Sequence, residues 1–102
     1  MAFRIHFQDG RHPKLNLGPP GAELGCYVPE GMAWTQRNYG QGEGQIEIDG
    51  REWGFYWTAP GTLDVILHQG EIEVDQALAF VRAVAVRVAG KDNPYKLVVA
   101  GQ

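Results

Sequence analysis

Asp49-Gly50 constrains this chain more than any other pair of residues in it. The pair separates Ile46-Glu47-Ile48 from Arg51-Glu52-Trp53, and Asp-Gly supplies the positive φ angles of a two-residue type I′ hairpin turn. Such a turn sets Ile48 opposite Arg51, Glu47 opposite Glu52 and Ile46 opposite Trp53. Successive side chains of a strand point to opposite faces, so Trp53, Phe55 and Trp57 share one face and Glu52 and Tyr56 share the other.

The next turn is set by the hydrophobic pattern. A two-residue Pro60-Gly61 turn would put Trp57 against Asp64 and Trp53 against His68, burying charge among indoles. A three-residue Ala59-Pro60-Gly61 loop with Gly61 in the left-handed region puts Trp57 against Leu63, Phe55 against Val65 and Trp53 against Leu67. The second register is adopted here. Aromatic and aliphatic side chains meeting across strands make a core, which is the expected role of the indoles.

Earlier in the chain, Phe3, Ile5 and Phe7 alternate with Arg4, His6 and Gln8 as a half-buried strand does. Residues 9–44 hold eight of the fourteen Gly and four of the six Pro, which predicts loops around short strands near Leu24–Val28 and Met32–Tyr39. "GQGEG" at 40–44 lacks the spacing and the following helix of a phosphate loop, and reads as an approach to the hairpin. Downstream, Asp75 is a good N-cap for a helix ending at Ala89, with Gly90 as C-cap. Ala77, Phe80, Val81, Val84, Ala85 and Val88 fall on one arc of that helix, which should cover the aromatic face of the sheet. "KLVVA" at 96–100 is apolar on both faces, the pattern of an interior strand, running either parallel to residues 62–69 through a β-α-β crossover or antiparallel to them. The expected architecture is a single α+β domain over residues 1–102, with a mostly antiparallel sheet of five or six strands and one helix at about 75–89.

Charge is distributed unevenly. Residues 43–75 carry eight of the twelve acids and only Arg51 among the bases. Such a field repels nucleic acid and attracts basic partners. In the adopted register Glu47, Glu52 and His68 form one cross-strand row on the outer face, with Glu43, Tyr56 and Asp64 a step along. Two carboxylates beside a histidine suit metal binding or base catalysis, but they equally suit a solvated face where His68 sits beside an acidic pair. Two reliable neighbours do not make a tight metal site, so no metal and no cofactor is expected. Cys26 has no basic neighbour to activate it, and His6 and His12 read as surface residues. There is no Ser/His/Asp set and no zinc spacing.

The favoured expectation is a cytoplasmic, non-enzymatic protein that binds a basic protein partner through Glu43, Glu47, Glu52, Tyr56, Asp64 and His68, with no nucleic acid and no membrane segment. In kind this resembles the small acidic immunity proteins and antitoxins with which bacteria neutralise cationic toxins; no stretch matches such a family, and no residue roles are carried over. The alternatives are a small enzyme or ligand-binding domain using Glu52, His68 and Tyr56, and a structural homo-oligomer, a homodimer among the possibilities, joined through the helix strip of Ala79, Ala83 and Val86.

Overall fold

Six strands and one helix follow from these patterns. The computed structural model describes residues 1–8, 27–40, 43–59, 61–90, 92 and 94–101. The elements run β1 (Ala2–Phe7), β2 (Trp34–Gly40), β3 (Glu43–Ile48), β4 (Arg51–Ala59), β5 (Thr62–Gln69), α1 (Val74–Ala89) and β6 (Tyr95–Gly101). They form one sheet in the order β2-β3-β4-β5-β1-β6, with every neighbouring pair antiparallel.

The Asp49-Gly50 turn sets the β3–β4 register as its chemistry requires. Asp49 has φ 51 and Gly50 φ 80, and Ile48 pairs with Arg51, Glu47 with Glu52 and Ile46 with Trp53. At the other end of β4, Trp57 faces Leu63, Phe55 faces Val65 and Trp53 faces Leu67. The turn combines features of both registers weighed above. Ala59 is still paired with Thr62, and Thr58 is the extra residue that shifts the ladder. Gly61 has φ 74, while Pro60 lies outside the described residues. One bulge thus closes the turn tightly and keeps the indoles opposite aliphatics.

The inner face is the core. Phe3, Ile5, Ile46, Ile48, Trp53, Phe55, Leu63 and Val65 are buried there beneath Ala77, Phe80, Val81, Val84 and Ala85 of α1. Phe80 stacks on Trp53 with ring centroids 4.4 Å apart. Each Val, Leu, Ile or Phe side chain removed from water there contributes roughly 1.5–3 kcal/mol before entropy is counted.

Several expectations are corrected. Tyr27 and Val28 are buried but lie in a short turn before β2, with no strand; Leu24 to Cys26 lie outside the described residues, as does His12. Tyr27 instead closes one end of the core, stacking on Phe55 at 4.7 Å and accepting a 2.9 Å hydrogen bond from Trp57 Nε1. A single buried aromatic satisfies an indole N–H here without any ladder. In the run at 40–44, Gly40 ends β2 and pairs with Glu43 at the start of β3, while Gln41 and Gly42 lie outside the described residues. The helix begins one residue earlier than expected, with Glu73 at the N-cap and no side-chain cap bond. Asp75 lies inside the first turn, where its charge still favours the positive end of the helix. Gly90 at the C-cap has φ 91 and donates to the carbonyl of Val86.

β6 is not interior: among the described residues it is an edge strand, paired with β1 alone. It runs parallel to β5, as a crossover through α1 demands, but β1 is inserted between the two. A pattern of burial records how apolar a strand is and says nothing about which strand lies beside it.

Candidate functional site

No helix covers the outer face of the sheet among the described residues. From β3 to β6 it presents Gln45 and Glu47, then Glu52, Gly54 and Tyr56, then Asp64, Ile66 and His68, with Arg4 on β1 and Lys96 and Val98 on β6.

Its centre is organised by a glycine. Gly54 lies mid-strand between Gln45 and Ile66. A side chain there would collide with the ring of Tyr56 and with His68 Nε2. Glycine inside a strand commonly marks such a close approach. The Tyr56 ring leans back along β4 over this gap, and its hydroxyl lies 2.7 Å from His68 Nε2. The two rings meet edge to face at 89°. Gln45 Nε2 donates to the same hydroxyl at 3.4 Å.

His68 reaches this position through a bulge. Trp53 pairs with Leu67 but Glu52 pairs with Gln69, so His68 is the extra residue on β5. Bulges bend a strand and re-aim a side chain. The predicted row of Glu47, Glu52 and His68 is therefore corrected: Glu47 and Glu52 are directly opposed, and Gln69 takes the place assigned to His68. The row beyond Gln45, Gly54 and Ile66 forms as expected, Glu43 opposite Tyr56 and Tyr56 opposite Asp64. Asp64 is committed to β1, where Arg4 clasps it through Nε at 2.7 Å and Nη2 at 3.1 Å. The hydrogen bond to Asp64, and then its charge, raise the Arg4 guanidinium above its ordinary value. A raised cationic group contributes its stability in full below its ordinary value and loses it only as pH climbs through the raised one. The clasp is therefore unaffected on the alkaline side at any working pH.

The face is thus electrostatically divided. Glu47 and Glu52 mark one side, the Tyr56–His68 pair stands beside them, and Asp64 is screened by a bidentate arginine. Among the described residues no three of His, Cys, Asp and Glu stand close enough together to hold a metal ion, and no helix is long and apolar enough to cross a membrane. Sequence reasoning missed Gly54, Gln45 and Arg4. A lone glycine inside "EWGFYW" was the available signal for the first.

A second concavity lies on the inner side. A cleft of about 400 Å³ runs between α1 and the β3–β4 turn, walled by Ile48, Trp53, Ile72, Ala79 and Phe80 with Arg51 at its rim. Arg51 is held there by its Nε, which donates to the Glu71 carbonyl at 2.8 Å.

No family model, no curated protein and no solved structure matches the chain.

Proposed function

We propose that this protein is a binding module that takes a basic protein partner on the sheet face left open by α1. The observation that carries this reading is the direct opposition of Glu47 and Glu52 on that face, beside a Tyr56–His68 pair held in place over Gly54. Tyrosine and histidine present a rigid amphipathic surface at low entropic cost. Two adjacent carboxylates supply the attraction that steers a cationic surface onto it. In its finer form, the partner is the basic domain of a toxin and the module its cytoplasmic neutraliser, in the manner of an immunity protein.

A synthetic deca-lysine peptide serves as the test ligand, titrated calorimetrically into the wild type and into Glu52→Lys at two ionic strengths. The variant should bind about fivefold more weakly at low salt, the effect of losing an exposed ion pair of ~1 kcal/mol, and the gap should close as salt shortens the screening length. It should melt no lower than the wild type, because the opposed acids are relieved. Equal affinity for the two proteins at low salt would overturn the reading.

The Tyr56–His68 hydrogen bond favours a second reading, a small enzyme or ligand-binding domain with that pair as its polar centre. Against it, Glu52 stands opposite Gln69 and not directly opposite His68.

A further inference from the structure

We infer that β6 is the interface through which two copies of this chain pair, edge to edge and antiparallel, into one continuous sheet. The strand combines two properties that do not belong together in a monomer. Its residues are apolar on both faces, as in an interior strand, yet among the described residues it lies at the edge, with Val98 47% and Val99 49% exposed. Long apolar edge strands invite pairing, and proteins that must avoid it blunt them with bulges and charges. The opposite edge is blunted in that way: β2 carries Arg37 as an extra residue in mid-strand. In β6 the irregularity falls at Ala100, past the valines, so that Tyr95 to Val99 pair regularly with β1.

The backbone directions specify the register. Phe7 N–H donates to Gly61 O at 2.8 Å and Leu67 N–H to Met1 O at 2.9 Å, so the odd-numbered residues of β1 bond to the β5 side. Gln8 N–H donates to Pro94 O at 3.3 Å, so the even-numbered ones bond to the β6 side. Antiparallel ladders alternate strictly. Lys96 and Val98 therefore turn their amides to β1, while Tyr95, Leu97 and Val99 turn theirs to the side that no described strand occupies. A two-fold axis through Leu97 satisfies all of them: Leu97 meets its own copy, and Tyr95 meets the second copy's Val99, an aromatic–β-branched pair of the favourable kind. Lys96, the one charged residue of the strand, then faces the second copy's Val98 and not its own twin. Parallel pairing in register would oppose the two lysines. Closed two-fold pairing is also the commonest way for like chains to associate.

The register gives Val98 two substitutions of opposite sign. It is exposed, so either leaves the monomer fold intact, which a thermal melt checks. Val98→Lys places a cation across from the second copy's Lys96, twice per dimer, and should weaken the dimer about tenfold or more in sedimentation equilibrium. Val98→Glu places a carboxylate there and should leave the dimer as tight as the wild type or tighter. A wild type that stays monomeric up to millimolar concentration overturns the inference. So does a dimer that responds alike to the two substitutions, or one that is broken by Val86→Glu on α1 but not by Val98→Lys.

Discussion

Gly54 shows how one missing side chain can shape a surface. Gly54→Ala should cost about 1–3 kcal/mol by overpacking, because the added methyl meets the Tyr56 ring and His68. The cost should shrink in a Tyr56→Ala background, and a double-mutant cycle by chemical denaturation measures the difference. Equal costs in the two backgrounds would mean that Tyr56 does not rest on the glycine. The two indoles of the same strand are not equivalent. Trp53 is 1% exposed while Trp57 is only half-buried. Trp53→Ala should cost ~3–5 kcal/mol, the usual loss for a buried aromatic, and Trp57→Ala clearly less. Sequence reasoning treats them alike because alternation assigns a face and cannot tell the centre of a sheet from its rim.

Among the elements, those governed by local chemistry were legible and those governed by distant pairing were not. Asp49-Gly50 fixed the β3–β4 hairpin, and the spacing of Phe80, Val81, Val84 and Ala85 fixed the buried stripe of α1. Nothing local to β1 announces that it slides between β5 and β6. Nothing local to His68 announces the bulge that hands it to Tyr56. The N-cap lies two residues before Asp75, the better capping residue, because Glu73 occupies the cap without using its side chain. Glu73→Asp keeps the charge and shortens the reach to that of a good N-cap, so it should stabilise the protein by about 0.5–1 kcal/mol. An unchanged denaturation midpoint would mean that the first turn is already satisfied by other groups.

In the whole molecule, α1 closes one face of the sheet, and among the described residues no helix covers the other. The core demands the inner face: sixteen buried hydrophobic residues form it, and no charged or polar side chain is buried with them among the described residues. The outer face carries the chemistry, and its acids, its Tyr56–His68 pair and its Arg4–Asp64 clasp are all reached from one direction. A two-dimensional NMR titration of the isotopically labelled protein with deca-lysine at low salt tests this assignment most directly. Shifts concentrated at Gln45, Glu47, Glu52, Tyr56 and His68 are the predicted result. Shifts confined to the acids before and within the first turn of α1, at Glu71, Glu73 and Asp75, would place the binding surface elsewhere and contradict it.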